Sequence, residues 1–257
     1  MKKVTAVIGS PQKRASYQAL QEFEKNLKSY GEIDFEYVHL KDYHLEYCKG
    51  CCLCFNKGEE HCPLKDDRDV LFEKLLNSDG VIFASPSYSF QVTALMKNLL
   101  DRMAFYHHRP RFFGKTFTAV VNYGIYGGTR IEKYLETMGR NFGFSVTRGC
   151  SLMTLEPRTE HQQIKISRKI RKASMRFYKR LMLKTMPSPS FYHLAAFRLS
   201  RTGIRLLQDD TYRDYRHYQE MGWFDSGYYY RTHLGFIKKL TGHIFDLMGK
   251  RMAKHIQ

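Results

Sequence analysis

Short apolar runs recur along the first 150 residues, and segments with a different hydrophobic period separate them. Most of these runs are rich in Val, Ile and Phe and too short for helices, which is typical of strands buried in a sheet. One run alternates apolar and polar positions, as a strand with one exposed face does. Together they predict five strands, at residues 4–8, 33–40, 81–84, 116–122 and 144–150.

The segments between these strands carry apolar residues three and four positions apart, which is the period of a helix packed on a core. They predict helices at residues 16–29, 67–77, 92–105 and 129–142. Strands and helices that alternate in this way form βαβ units, so the sequence predicts an α/β fold with a doubly wound, five-stranded parallel sheet. Ligands of such sheets bind beyond the carboxyl ends of the strands, so the loops after strands one, three and four are candidate sites.

The alternation stops near residue 155, and the rest of the chain has a different character. Residues 162–186, 194–207 and 236–252 have helical patterns, and a polar, aromatic stretch occupies residues 209–230. We therefore predict two domains, a sheet domain at residues 1–155 and a basic, aromatic-rich, mainly helical extension at residues 156–257.

Composition excludes wholesale disorder, because 43% of the residues are apolar. The net charge is +17, and residues 151–257 hold 21 basic and 8 acidic residues. An excess of positive charge is typical of proteins that bind nucleic acid. No RNA-binding motif, zinc finger or helix-turn-helix is present in the sequence, so a nucleic-acid partner is not expected. Packing against the sheet domain or a second subunit is the preferred interpretation, and a peripheral membrane contact through residues 236–252 is the alternative.

No apolar run reaches the roughly 18 residues of a membrane span. The N-terminus also lacks the pattern of a signal peptide. We therefore expect a cytoplasmic protein in which structural disulfides are absent.

The first predicted loop joins a buried strand to a helix with the sequence GSPQKRASY at residues 9–17. The N-terminus of a helix offers unpaired N–H groups and the positive end of a dipole, which favour phosphate. The loop has neither a GxGxxG nor a Walker A pattern. From this loop alone, a phosphate site and an ordinary polar turn remain equally open.

Five of the six cysteines lie within residues 48–62, with the pattern Cys48-x2-Cys51-x2-Cys54-x7-Cys62 and Cys52 as an extra thiol. Compact spacing suits thiolates that converge on one iron–sulfur cluster. A zinc site, a thiol pair and unligated cysteines are the alternatives. Cys150 stands apart in the last predicted strand, where a buried core position is expected.

Three motifs together resemble the flavodoxin-like NAD(P)H-dependent FMN reductases, including their iron–sulfur flavoprotein branch. They are GSPQK at residues 9–13, SPSY at 85–88 and KNLLDR at 97–102. The resemblance covers residues 1 to about 150 and implies noncovalently bound FMN, NAD(P)H as electron donor and a homo-oligomer. It also maps the ligands of a 4Fe-4S cluster to Cys48, Cys51, Cys54 and Cys62. Lys97 and Asp101 of the third motif are interpreted as a surface ion pair one helical turn apart.

The resemblance places the FMN phosphate on the first loop and the isoalloxazine ring between the other two loops. The phosphate residues would be Ser10, Gln12, Lys13, Ser16 and Tyr17. The residues beside the ring would be Pro86, Ser87, Tyr88, Ser89, Phe90, Asn122, Tyr123, Gly124, Gly127 and Gly128. No catalytic side chain is assigned, because the flavin itself supplies the redox chemistry.

The predicted function is an FMN-dependent oxidoreductase that uses NAD(P)H to reduce a flavin, a quinone or a similar acceptor. The alternative is an FMN and iron–sulfur electron-transfer protein without a small-molecule substrate, which docks to a ferredoxin-like partner through its basic charge.

Overall fold

A computed structural model describes residues 1–255. Its sheet is built from six parallel strands, in the order β2-β1-β3-β4-β5, with β6 also paired to β4. This is the order of a flavodoxin-like doubly wound sheet, and it confirms the predicted fold class. The strands are β1 (Lys2–Ile8), β2 (Ile33–His39), β3 (Gly80–Pro86), β4 (Thr116–Tyr123), β5 (Ser145–Val146) and β6 (Cys150–Met153).

Nine α-helices lie among residues 1–255, and short 3-10 turns connect several of them. They are α1 (Ala15–Tyr30), α2 (Leu53–Asn56), α3 (Arg68–Leu76), α4 (Ala94–Arg102), α5 (Gly128–Asn141), α6 (Glu160–Leu181), α7 (Phe191–Leu207), α8 (Arg213–Glu220) and α9 (Phe236–Lys254). None of the described helices is both long and apolar enough to cross a membrane.

The contacts divide the chain into two compact units whose bounds interleave along the sequence. The first unit contains residues 1–49 and 64–185, and the second contains residues 50–63 and the described residues from 186 onward. The first unit extends past the boundary predicted at residue 155, because α6 packs beside α1 on one face of the sheet. The segment with four of the clustered cysteines belongs to the second unit, not to the sheet.

The sheet has a packed core on each face. Val4, Ile82 and Val120 belong to a buried cluster with Leu20 of α1 and Phe177 of α6. This burial supplies most of the driving force that holds α1 and α6 on the sheet.

Helix α5 covers the opposite face of the sheet. A Cβ atom at its Gly139 would lie 2.6 Å from the ring of Phe117, so only glycine permits this close packing.

The edge of the sheet differs from the single strand predicted at residues 144–150. Two short strands, β5 and β6, flank a break at residues 147–149. At the break the backbone comes so close to β4 that a Cβ atom on Gly149 would lie 2.0 Å from the carbonyl oxygen of Ala119. Pairing then resumes at Cys150, so the edge continues three residues beyond the predicted end.

The second unit is held together by α7 and α9 and by a cluster of aromatic rings. Arg198 and Arg201 of α7 form ion pairs with Asp246 of α9, at 2.8 and 2.6 Å. Trp223 is buried, and its indole N–H donates to the carbonyl of Tyr229 at 3.0 Å. Helix α8 and a 3-10 turn at Trp223–Asp225 lie in the stretch at residues 209–230, for which the sequence analysis assigned no element.

Candidate functional site

The loop after β1 is fixed by contacts to its two neighbours. The backbone N–H of Gly9 donates to the carbonyl of Ala84 at 2.8 Å, and its own carbonyl accepts from Thr93 Oγ1 at 2.7 Å. A Cβ atom on Gly9 would lie 2.8 Å from Cβ of Met96, so glycine is required for this approach to α4. These contacts therefore fix the backbone at the point where the chain leaves β1, before it enters α1.

The first turn of α1 is open to an external acceptor. No side chain caps the helix at Arg14, and the first turn holds no acidic residue. Ser10 and Ser16 are buried beside this turn, and Ser10 Oγ donates to the carbonyl of Gln12 at 2.7 Å. Free N–H groups with nearby hydroxyls and an arginine are suited to a phosphate.

The loop after β3 is a tight turn that presents two aromatic side chains. Tyr88 and Gln91 exchange backbone hydrogen bonds at 2.9 and 3.0 Å, and Ser89 and Phe90 between them have φ angles of 48° and 60°. Two consecutive left-handed residues make the narrow type of turn that joins paired strands. Tyr88 and Phe90 are each 53% exposed.

The loop after β4 positions Tyr123 and a buried amide. A Cβ atom on Gly128 would lie 2.2 Å from Cδ1 of Tyr123, so the tyrosine ring packs directly on this glycine. Asn122 is 3% exposed, and neither its side-chain oxygen nor its nitrogen has a hydrogen-bond partner. A buried amide without partners costs free energy, so it marks a place where a polar ligand would be stabilised.

These loops enclose a cleft of about 260 Å³ at the carboxyl ends of the strands. It brings together nine of the fifteen residues predicted to bind FMN: Ser10, Gln12, Ser16, Pro86, Ser87, Tyr88, Asn122, Tyr123 and Gly124.

The other six predicted residues do not line the cleft, and they lie at its rim or beyond it. Phe90 stacks on Tyr126 with ring centroids 4.9 Å apart, and Gly127 lies against the same phenyl ring. These contacts join the loops after β3 and β4 at the rim. Ser89 shares the turn with Phe90, and Gly128 supports Tyr123.

Tyr17 and Lys13 turn toward β2 instead. The ring of Tyr17 lies 5.2 Å from that of Tyr37 and 5.5 Å from that of His39, and the Lys13 ammonium lies 5.7 Å from the Tyr17 ring. For Tyr17 the cause is helical geometry, because successive side chains of α1 point about 100° apart and Ser16 takes the inward direction. Lys13 lies before the helix begins.

Five residues that line the cleft are not among the predicted FMN residues: Arg14, Ala15, Thr154, Leu155 and Glu156. Arg14 belongs to the loop at residues 9–17, for which a phosphate site is one of the two interpretations of the sequence. The last three of the five follow β6, and the N–H of Thr154 donates to the carbonyl of Tyr123 at 2.9 Å. The rule that ligands bind beyond the carboxyl ends applies to every strand, so the end of the last strand was a signal that could have identified them.

A second cavity of about 240 Å³ lies between α1 and α6 and shares lining residues with the cleft. The shared residues are Ala15, Asn122 and Thr154. The unpartnered amide of Asn122 therefore lines both spaces.

A larger cavity of about 410 Å³ lies at the sheet edge, between α5 and α6. Lys169 donates to the carbonyl of Ser151 at 2.8 Å, and Arg176 donates to the carbonyl of Gly149 at 3.0 Å. Two of the cations that line this cavity therefore donate hydrogen bonds to backbone carbonyls at the sheet edge. Burial and the neighbouring Glu136 raise the pKa of Glu132 above its usual range in this cavity.

Cys150 borders the same cavity and is buried, as predicted. Burial raises the pKa of its thiol to about 12, which makes the thiolate rare at neutral pH.

The third motif anchors the segment that carries the cysteines. Arg102 forms an ion pair with Asp66 at 2.5 Å and donates to the carbonyl of Glu46 at 2.8 Å, and Asn98 donates to the carbonyl of Leu45. The motif thus holds the chain just before Cys48 and just after Cys62. Lys97 and Asp101 form the predicted exposed ion pair, which confirms that interpretation.

The predicted cluster ligands are distributed over both units. Cys48 lies in the first unit, and Cys51, Cys54 and Cys62 lie in the second. Cys48 and Cys51 are exposed, Cys54 and Cys62 are half-buried, and none of the described cysteines is in a disulfide. Four thiols have the right donor chemistry for iron.

Nowhere in residues 1–255 do three or more histidine, cysteine or carboxylate side chains converge as metal ligands do. The cluster ligand set therefore stays a prediction from the sequence.

A family model described as NADPH-dependent FMN reductase matches residues 2–155. An iron-sulfur flavoprotein of Archaeoglobus fulgidus is 39% identical over 143 residues, which are 55% of this chain and 64% of that protein. Another from Clostridioides difficile is 29% identical over 180 residues, covering 68% of this chain and 77% of that one. This chain thus matches less than two thirds of the length of the Archaeoglobus relative.

Solved structures share the fold at low identity. An NAD(P)H:quinone oxidoreductase from Methanothermobacter marburgensis has a TM-score of 0.55 at 18% identity, covering 67% of this chain and 95% of that one. RosB with bound 8-demethyl-8-formylriboflavin-5'-phosphate has a TM-score of 0.55 at 13% identity and covers 92% of both chains.

Proposed function

Because the chain belongs to the NADPH-dependent FMN reductase family, we propose that it binds FMN in the 260 Å³ cleft and acts as an NAD(P)H-dependent oxidoreductase. The observation that carries the proposal is the buried Asn122 amide without a partner. Its oxygen and nitrogen match the mixed donors and acceptors along the polar edge of a flavin.

The phosphate end of the ligand would lie at the first turn of α1. Ser10 and Ser16 supply hydroxyl groups there, and Arg14 supplies charge. The uncapped amides of this turn add further donors.

The ring would lie between the loops after β3 and β4. Tyr88 and Tyr123 provide flat, partly apolar surfaces on these loops, and Gly124 leaves open space beside them. The stacked pair of Phe90 and Tyr126 would shield the rim from water.

Bound FMN would supply hydride and single-electron transfer, so the protein's contribution is binding and orientation. Glu156 is the sole carboxylate among the cleft residues, and it is exposed. We therefore assign no acid or base to the cleft. The acceptor proposed from the sequence is a flavin, a quinone or a similar small molecule.

The test is a fluorescence titration of FMN-free protein with FMN. Asn122→Ala should weaken binding by roughly tenfold, because a hydrogen bond to a buried group is worth about 1–1.5 kcal/mol. Asn141→Ala, at the far end of α5, is the matched control, and it should bind FMN with the affinity of the unsubstituted parent protein. Equal affinity of the parent and Asn122→Ala would remove the central support of the proposal.

An electron-transfer protein without a small-molecule substrate is the second candidate, supported by the cationic cavity at the sheet edge. Steady-state oxidation of NAD(P)H with a quinone separates the two candidates. An enzyme turns over many times, whereas a carrier stops after its own flavin is reduced.

We also propose that Cys48, Cys51, Cys54 and Cys62 bind a 4Fe-4S cluster, on the basis of their spacing and of the relatives named iron-sulfur flavoprotein. Protein purified without oxygen should contain iron and sulfide, and Cys54→Ser should lose both. Cys52→Ser removes the extra thiol and should retain them. Iron-free parent protein under these conditions would refute this assignment.

A further inference from the structure

Helix α9 carries its small and acidic residues on the side that faces α7. Gly242, Gly249 and Ala253 are buried there, and Asp246 is held by the two α7 arginines. A Cβ atom on Gly249 would lie 3.0 Å from Cβ of Thr202, so the two helices are closely packed.

The opposite side of α9 is apolar and exposed. Seven large apolar side chains there are between 47% and 82% exposed. At about 100° per residue they lie within a sector of about 160°, which also contains Thr241 and Arg251. The seven apolar residues are Phe236, Ile237, Leu240, Ile244, Leu247, Met248 and Met252.

This arrangement reverses the usual one, in which a surface helix buries its apolar stripe and exposes its polar face. A contiguous apolar surface of this kind marks a binding surface.

Cations lie beside and within this apolar sector, and acidic residues do not. Lys239 and Lys250 lie beside it, Lys254 lies at its edge and Arg251 lies inside it. All four are exposed. The one acidic residue of the helix is Asp246, which the ion pairs with α7 neutralise. The exposed side of α9 thus combines apolar side chains with positive charge only.

We propose that α9 docks on the surface of a bilayer that contains anionic lipids. The helix would lie in the plane of the interface, with its apolar sector among the acyl chains and its lysines at the headgroups. Charge decides between the candidate occupants. A second copy of α9 would bring cations against cations, whereas an anionic headgroup layer complements them. The inference stands independently of the function proposed for the sheet domain.

The test is flotation of the full-length protein with vesicles of phosphatidylcholine alone or mixed with phosphatidylglycerol. The parent should bind the anionic vesicles and should be released as salt is raised, because the ionic attraction is screened. Ile244→Asp should lower the partition coefficient by roughly tenfold or more, because an apolar contact is lost and a negative charge is introduced. Ile164→Asp on α6 is the matched control, since Ile164 is 43% exposed and Ile244 is 49% exposed. It should bind as the parent does.

Two results would overturn the proposal. One is equal flotation of the parent and Ile244→Asp. The other is no flotation of the parent while light scattering shows a dimer that Ile244→Asp converts to a monomer. In the second case the face would be a subunit interface. Circular dichroism of both variants verifies that each remains folded.

Discussion

Arg102 and Asp66 form an ion pair whose side chains are 2% and 0% exposed, so both charges have left water. Burial by itself raises the pKa of Asp66, but hydrogen bonds from Arg102 and from the amides of Glu46 and Arg68 outweigh it. The pKa of Asp66 is therefore below its ordinary value. The pair stabilises the fold only while Asp66 is ionised. Because Arg102 also bonds the carbonyl of Glu46, it holds the chain on both sides of residues 48–62, which carry five cysteines.

We expect the free energy of unfolding to fall as acid protonates Asp66. Folding lowers the pKa of this group, so its contribution is complete above the unfolded-state value of about 3.9 and is lost as pH falls through the lower folded-state value. Asp66→Asn should destabilise the protein by about 3–5 kcal/mol at pH 7 and by less at lower pH. Urea unfolding of both proteins at pH 7 and near pH 3 measures the difference, and a pH-independent difference contradicts this role.

Gly128 controls the position of Tyr123 in the cleft. Gly128→Ala would place a Cβ atom 2.2 Å from Cδ1 of Tyr123 and force the ring to move. We expect a roughly tenfold or larger loss of FMN affinity, because contacts to the ligand depend on a fixed ring position. Gly203→Ala in α7 meets nothing within 4 Å and should leave affinity unchanged. Unaltered affinity in Gly128→Ala would show that Tyr123 does not contact the flavin.

At the level of elements, the sheet edge depends on side chains of α6. Arg176 donates to the carbonyls of Arg148 and Gly149 at 3.1 and 3.0 Å, and Lys169 donates to the carbonyl of Ser151. These hydrogen bonds pair backbone carbonyls that would otherwise be left without partners at the edge of the sheet. Helix α6 is accordingly part of the sheet domain.

Arg176→Leu should lower the free energy of unfolding by about 1–2 kcal/mol, because two backbone carbonyls lose a charged donor. Arg171→Leu is the control, since Arg171 is exposed on the same helix. Its substitution should change stability by less than about 0.5 kcal/mol. Chemical unfolding followed by circular dichroism gives both values, and equal effects would contradict a role for Arg176 at the edge.

The strands and helices of the sheet could be predicted because their periodicity is local. Helix α8 was missed because the face that it buries consists of Asp214, His217 and Tyr218, which are polar or aromatic and do not form the aliphatic pattern of a core helix. The interruption at Gly149 depends on its approach to Ala119, which is a contact between distant residues. The glycines and loops of the cleft were visible in sequence, whereas the inward direction of Ser16 rather than Tyr17 follows from helix orientation.

At the scale of the whole molecule, residues 50–63 and the described residues from 186 onward form one compact unit. Arg216 of α8 donates to the carbonyl of Lys57 at 3.2 Å, across 159 residues of sequence. No local pattern predicts such a contact, so a boundary placed at residue 155, where the alternation of strands and helices stops, leaves residues 50–63 with the sheet, whereas the contacts group them with the residues after 185.

In protein freed of iron, Arg216→Ala should loosen residues 50–63 and speed alkylation of the half-buried Cys54 by about two- to fivefold, which corresponds to a hydrogen bond of about 0.5–1 kcal/mol. Mass spectrometry after a pulse of iodoacetamide measures this rate. Arg231→Ala, an exposed arginine of the same unit, should leave it unchanged. A rate in Arg216→Ala equal to that of the parent would show that this contact does not restrain the segment.

The proposal that FMN binds in the cleft is tested most directly by the absorption spectrum of the full-length protein, purified without oxygen, before and after FMN is removed and returned. We predict flavin bands that disappear on removal and return at one equivalent of FMN per chain. A colourless protein that takes up no added FMN would contradict the assignment of the cleft.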